Sequence, residues 1–422
     1  MKSRSKKMLV VLAALFLLAA LMTSMSAAKT EITFWAMPNA PDETHIPWMN
    51  KKAAEFEAKT GVKVKFQVVG WGDAWPKITT AIATGEGADV FQVGTTWNPQ
   101  FAATGGLEQI NIKEFGGASA FMKANLDSTT YKSKYYGIPW FAETRALFVN
   151  KDMFAKAGAK YPTTHAEIFS EGEKIVKKFG EGSAIAIAGT NAWDIQHNWV
   201  IILWANGGSL LTKNNKKAAF NSQAGVTAMK WYMDLVIKGL ASKACAEYNQ
   251  PQADAAFING NVAMCYMGPW NIANIKQDNP KLPFDVIEPP AGPKGKASFS
   301  GGSNLVILKS SRNKAAAKAW VKFLMDNNVE YCKNLSLMLP SKVADYNDPY
   351  YSEGVWKTFK TVLSYSTAYP PLGVWGDVEN AFVQEIKNIL TDYVNGKYND
   401  NTVKTYLDRA AKRVDAALAK ER

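Results

Sequence analysis

An α/β architecture in two domains, each assembled from discontinuous segments, is what this sequence predicts. Three observations carry that reading. Strand and helix patterns alternate from residue 32 onward. The 422 residues exceed what one hydrophobic core usually supports. Proline and glycine cluster at three separated places: Gly137-Ile138-Pro139-Trp140, residues 292–302, and Leu339-Pro340. Three crossings between domains would leave a cleft between lobes joined by hinge strands.

The first 28 residues read as a leader. Lys2, Arg4, Lys6 and Lys7 precede an apolar run over 8–22, and Ser26-Ala27-Ala28 supplies the small residues of a cleavage site. The run is shorter than the ~20 residues that span a bilayer as a helix, so an uncleaved anchor is the weaker reading. Cleavage after Ala28 leaves 394 of the 422 residues and lowers the formal charge from +12 to +8. No cysteine follows the apolar run, so no lipid attachment is expected. With no second long apolar segment, the mature chain is expected to be exported and soluble.

Each element then has its own signal. A strand over 32–35 precedes a helix over 46–59 closed by Gly61. Residues 62–69 alternate, with Val62, Val64, Phe66 and Val68 on one face. A helix over 75–84, ended by Gly85, leads to a short buried strand over 88–93. This βαβαβ order implies parallel pairing in a doubly wound sheet, with ligands at the carboxyl ends of the strands. Next come a strand over 146–150 and a helix over 151–157. Thr163-Thr164 with Glu167 resembles a capping box. A strand over 184–188 is followed by a helix over 192–205, stopped by Asn206-Gly207-Gly208. Residues 222–238 form an amphipathic helix, and 262–267 a buried strand broken by Gly268-Pro269. After a strand over 304–308, Ser310-Ser311 can cap a helix with Ala316, Ala319, Trp320, Phe323 and Leu324 on one face. Val403, Leu407, Ala410, Val414 and Ala417 mark a packed terminal helix.

Composition removes several functions. Lys and Arg are scattered among Asp and Glu, and no nucleic-acid-binding motif accompanies them. Three cysteines, Cys245, Cys265 and Cys332, allow at most one internal disulfide. Three histidines without ligand spacing give no metal site, and neither a P-loop, a dinucleotide fingerprint nor a Gly-x-Ser-x-Gly elbow occurs, so no cofactor and no catalytic residue are expected. Tryptophan, at 14 residues, is the informative side chain. Trp35, Trp97 and Trp270 sit where strands end, and an indole there offers an apolar face with a polar edge, which suits a pyranose ring.

The chain also resembles the carbohydrate-binding branch of bacterial extracellular solute-binding proteins, the lineage of maltose-binding protein that feeds ATP-driven importers. The carrying segments are Glu31-Ile32-Thr33-Phe34-Trp35, Phe56-Glu57-Ala58-Lys59-Thr60-Gly61-Val62-Lys63-Val64, Ala88-Asp89-Val90-Phe91, and Gly137-Ile138-Pro139 leading to Leu147-Phe148-Val149-Asn150-Lys151-Asp152. Phe257-Ile258-Asn259-Gly260-Asn261-Val262-Ala263-Met264, Gly268-Pro269-Trp270 and Gly301-Gly302-Ser303-Asn304 continue the match over essentially the whole mature chain. Ala88-Asp89 departs from the Pro-Asp usual in relatives. The resemblance implies a two-lobed periplasmic-binding-protein fold that closes over a sugar, with one lobe from 29–141 and 304–337 and the other from 142–303 and 338–422. It also implies a monomeric periplasmic receptor, without enzymatic activity, that delivers its sugar to the membrane permease of an ABC importer.

Carried over by motif, the candidate sugar-binding residues are Trp97, Trp270 and Trp375 as platforms, with Glu143 and Arg145 as hydroxyl partners at the first crossing. Trp193 and His197 open a helix at a ligand-contacting position, although a surface or capping role fits His197 equally well. Trp71 and Asp73 are rim candidates, Asp73 also serving as a helix cap. Gly302 brings backbone N–H groups near the ligand or acts purely as a hinge. Trp48, Trp199, Trp204, Trp231, Trp320 and Trp356 fall within helices as packing residues. Two rivals stand beside this reading: a secreted glycoside hydrolase, which needs two carboxylates about 5–10 Å apart, and a receptor for a non-sugar solute.

Overall fold

The computed structural model describes residues 30–190 and 192–421, apart from the side chains of 192–194; the leader read over 1–28 lies outside the described residues. Two sheets organise the chain. Six strands, β1 (Glu31–Ala36), β2 (Lys63–Val68), β3 (Val90–Gly94), β6 (Ile138–Thr144), β11 (Ser300–Ile307) and β12 (Leu339–Pro340), make the larger, in the order β12-β6-β11-β3-β1-β2. The smaller has the order β10-β7-β9-β8, from β7 (Ala146–Asn150), β8 (Ile185–Ala186), β9 (Met264–Met267) and β10 (Phe284–Ile287). Between β3 and β6, β4 (Thr130–Tyr131) and β5 (Lys134–Tyr135) form a hairpin.

The parallel pairing expected of βαβαβ holds where that order holds: β1 pairs parallel with both β2 and β3. β8 and β9 also pair parallel, but for the following pairs the expectation is corrected. β11 runs antiparallel to β3 and β6, β12 antiparallel to β6, and β7 antiparallel to β9 and β10. For β11 the cause is chain return: it comes directly from β10 of the other sheet, so no crossover helix fixes its direction.

Strand chemistry follows burial. In β1, Ile32, Phe34 and Ala36 are fully buried on one face, whereas all four residues Val90, Phe91, Gln92 and Val93 of β3 are buried, as expected of a strand covered on both faces. Phe34 meets Trp140 and Trp320 edge-on at 6.0 Å each, and Trp140 stacks on Tyr331 at 4.6 Å. The second lobe buries the helix Ala192–Ala205 against Trp375–Val394, with Trp199 5.0 Å from Phe382. Val403, Leu407, Ala410, Val414 and Ala417 of the helix Thr402–Leu418 complete that core.

Several boundaries move for local reasons. The helix read over 75–84 begins at Trp71 instead, with Gly70 at its N-cap, so that Pro76 falls inside it and removes one backbone donor. Thr164 and Glu167 do form a capping box. Ser310-Ser311 do not cap the next helix, Lys314–Asp326; its N-cap is Asn313, and the Ser311 hydroxyl donates to Asp89 instead. Cys245, Cys265 and Cys332 are buried and unpaired. Among the described residues no helix is long and apolar enough to cross a membrane.

The crossings determine where the cleft lies. The first is compressed to Arg145, since β6 stays in the larger sheet through Thr144 and β7 starts at Ala146. The second runs from β10 to β11, and Gly301 and Gly302 belong to β11, opposite Glu143 and Ala142. A third follows β12, after which the helix Gly354–Tyr365 packs on Phe148 of β7 through Phe359. A hydroxyl cluster ties the hinge segments together: Thr144 Oγ1 bonds Ser298 Oγ at 3.0 Å and Ser366 Oγ at 2.7 Å, and Ser298 donates to the Arg145 carbonyl.

Candidate functional site

Where the two sheets face each other, a cleft of about 530 Å³ is lined from both sides. Trp71 and the 38–41 loop after β1 form the first lobe's wall; Trp270, Ala273 and Asn274 form the second's, with Glu143 and Gly302 of the hinge strands between them. A smaller cavity of about 120 Å³ shares Trp71, Glu143 and Gly302 and adds Trp97, His197 and Phe299.

Each indole is held by its element. Trp71 is the first residue of the helix Trp71–Thr84; its Nε1 donates to the Pro38 carbonyl at 3.3 Å, and 40% of the residue remains exposed. Trp97, following β3, is mostly buried and meets Trp71 edge-on at 5.8 Å and Trp75 at 5.4 Å. Trp270 leads into the helix Asn271–Asp278, with its ring folded back over Gly268. Any Cβ on residue 268 would lie 1.9 Å from that ring, so glycine is required there. The Arg145 guanidinium sits 4.6 Å from the Trp270 ring and pairs with the Glu143 carboxylate. Cation, indole and carboxylate thus orient one another.

The floor is a polar network that sequence reading did not single out. Gln92 accepts from Met37 N–H and Asn39 Nδ2, both at 3.0 Å, and donates to Ser303 Oγ at 2.8 Å. Asn39 Nδ2 also donates to the Tyr331 hydroxyl at 2.8 Å. Asn39 and Ser303 both line the cleft. A glutamine inside the apolar run Val90-Phe91-Gln92-Val93 was the signal available, because a buried polar side chain in a strand needs partners.

His197 is buried, stacked on Phe299 at 4.1 Å, with Nδ1 2.7 Å from the Tyr369 hydroxyl. Burial, helped by the nearby Arg145 charge, pushes its pKa well below the usual imidazole range, so the ring is neutral at neutral pH. It can accept or donate a hydrogen bond without bringing charge to the site.

Of the ten residues expected at the site, the structure gathers Trp71, Trp97, Glu143, His197, Trp270 and Gly302 around these two adjoining cavities. Four stand apart. Arg145 is almost wholly buried and touches the cleft only through Glu143 and Trp270. Asp73 is exposed in the first turn of its helix and lines neither cavity; Gly70 occupies the N-cap position assigned to Asp73. Trp375 is 1% exposed and stacked on the likewise buried Tyr369 at 5.1 Å, and neither ring lines the two cavities. The side chain of Trp193 lies outside the described residues. Sequence spacing placed Trp375 at the approach to a helix; it is the first residue of the helix Trp375–Val394, and its ring joins the core that holds Phe382.

Comparison with known proteins is consistent across sequence and structure. Residues 40–329 match the family model described as bacterial extracellular solute-binding protein. The diacetylchitobiose binding protein DasA of Streptomyces coelicolor is 28% identical over 388 residues, covering 88% of this chain and 86% of that one. Among solved structures, an ABC transporter solute binding protein of Thermotoga lettingae with bound α-D-tagatose superposes with TM-score 0.80 at 26% identity, over 92% of this chain and 100% of that one. The GacH receptor of Streptomyces glaucescens, solved unliganded and with acarbose, gives TM-score 0.80 at 25% identity, over 94% and 100%.

Proposed function

This chain belongs to the bacterial extracellular solute-binding protein family, and on that premise we propose that it captures a mono-, di- or oligosaccharide in the cleft and delivers it to the permease of an ABC importer. One observation carries the proposal: Trp71 and Trp270 line the same cleft from opposite lobes, with Glu143 and Gly302 of the hinge strands between them. Aromatic faces suit the C–H patches of a pyranose, and Glu143, Asn39 and Ser303 supply acceptors and donors for its hydroxyls. By name or by bound ligand, the named relative and structural neighbours bind diacetylchitobiose, tagatose and acarbose. That range of sugars supports the class without selecting one member.

The lining favours a neutral ligand. Glu143 is the only carboxylate among the described residues of the two cavities, and Arg145 already neutralises it. A single paired carboxylate supports binding without hydrolysis, since glycosidic cleavage uses two. Rotation about the hinge at Thr144, Arg145 and Ser298 would bring the two indoles onto the two faces of the sugar. Export to the periplasm as a monomer rests on the leader read over 1–28 and on family membership. Tryptophan emission and melting temperature, followed across a panel of mono-, di- and oligosaccharides, test the proposal. At least one sugar shifts the emission and raises the melting temperature; a panel without effect on either contradicts it.

A further inference from the structure

A row of hydrogen-bonded polar side chains runs through the second lobe beside Trp270 and ends at the cleft. Asp254, on the helix Gln250–Ile258, accepts from Gln250 Nε2 at 2.6 Å and from Asn271 Nδ2 at 2.8 Å. Asn271, the residue after Trp270, accepts in turn through Oδ1 from Asn274 Nδ2 at 3.0 Å. Gln250 also donates to the Tyr266 carbonyl at 3.1 Å, and its Oε1 accepts from Asn198 Nδ2 at 2.7 Å. Gln250, Asp254 and Asn271 are buried, whereas Asn274 is half-buried and lines the cleft.

The chemistry of the members fixes the direction of the row. An amide side chain can be turned end for end with almost no change of shape, so its sense is set by its partners. A carboxylate and a peptide carbonyl only accept. Gln250 therefore presents Nε2 to both Asp254 and the Tyr266 carbonyl, and Asn271 presents Nδ2 to Asp254. Asn271 then has only Oδ1 to offer Asn274, which answers with Nδ2. That leaves Asn274 Oδ1, an acceptor, for a ligand hydroxyl. Asp254 itself lines neither cavity.

We infer that Asp254 is a positioning residue of the sugar site: through Asn271 it holds the Asn274 amide in one sense, so that the cleft offers a hydroxyl an acceptor at that point. The ligand named here rests on the sugar-capture reading above; the direction of the row does not.

Asp254→Asn keeps the shape and reverses the sense. The Tyr266 carbonyl still pins Gln250, so the new amide accepts from Gln250 and donates toward Asn271. Asn271 turns over, Asn274 follows, and Asn274 shows its NH2 to the cleft. Adding Asn271→Asp moves the carboxylate one place along the row. Position 254 then donates to position 271, which accepts from Asn274 as in the natural chain.

Proton exchange of the Asn274 side-chain amide reads this sense without any sugar. It is followed by NMR on the full chain with 15N-labelled asparagine side chains, the signal being the one that Asn274→Ala removes. Exchange is about fivefold faster in Asp254→Asn, the factor for releasing one hydrogen bond, and returns to the natural rate in the double variant Asp254→Asn, Asn271→Asp. Asn271→Ala cuts the row at an uncharged link, speeds exchange equally, and serves should Asp254→Asn not fold. Affinity is measured for whichever of D-glucose, maltose, cellobiose and N-acetyl-D-glucosamine raises the melting temperature most. It falls about fivefold in Asp254→Asn and recovers in the double variant. Unchanged exchange in Asp254→Asn or Asn271→Ala, or a double variant that exchanges as fast as Asp254→Asn, overturns the proposal. So does an affinity that Asp254→Asn leaves unchanged. Should no sugar bind, sugar capture is what fails, and the exchange rates still decide whether Asp254 directs Asn274.

Discussion

Trp270 shows how much of this site rests on single side chains. Its ring is wedged between Gly268 and the Arg145 guanidinium while lining the cleft. Trp270→Ala should therefore weaken binding of the best sugar by about 1–4 kcal/mol, the range for losing a buried aromatic anchor. Calorimetric titration checks this, and unchanged affinity would remove Trp270 from the site. Its position was legible, because Gly268-Pro269-Trp270 sits after an apolar strand. Asn39, Gln92 and Ser303 were not legible as a group. They come from three strands or strand ends 53 and 211 residues apart, and only sheet order brings them together. Trp375 fails for a different reason: its neighbourhood was readable, but as the first residue of the helix Trp375–Val394 its ring is buried against Tyr369.

Among the elements, β11 is the one on which the hinge depends. It pairs with β3 on one side and β6 on the other, and its first residues lie against Glu143 and Ala142. Gly302 has φ +128°, and a Cβ there would lie 2.1 Å from the Phe141 carbonyl oxygen. Gly302→Ala should lower stability by more than about 2 kcal/mol through strain and overpacking. A thermal melt checks this, and an unchanged melting temperature would show that the strand relaxes freely. The Gly301-Gly302 pair was visible in sequence as a loop signal; the structure places it inside a strand. Glycine there serves close backbone approach rather than a turn. The strands and helices from β1 to β3 were readable from periodicity, whereas β6 and β10 were not, nor was antiparallel direction, which local pattern does not encode.

For the whole molecule, acid sensitivity enters through the three histidines, partly offset by Asp345, whose carboxyl burial raises to about 6. His45 and His165 are buried, and desolvation lowers both pKa values to about 4; His197 lies well below its usual value. An unfolded chain takes up these protons near pH 6.5 while the folded chain does not, so the unfolded state binds more protons below that pH. Stability is then fully present above about pH 6.5 and is lost as pH falls, down to about 4 for His45 and His165. The slope is at most roughly 1.4 kcal/mol per pH unit for each histidine. His45 packs against Phe66 at 5.4 Å, so His45→Phe should reduce the drop in melting temperature between pH 7 and pH 5. An equal drop in the variant would show that His45 is not a source of the acid sensitivity. Sugar capture depends on two indoles from opposite lobes meeting one sugar. A crystal structure of the complex with the tightest-binding saccharide tests that most directly. It should show a pyranose in van der Waals contact with both Trp71 and Trp270, with a hydroxyl bonded to Glu143; a saccharide bound elsewhere, with both rings bare, would contradict it.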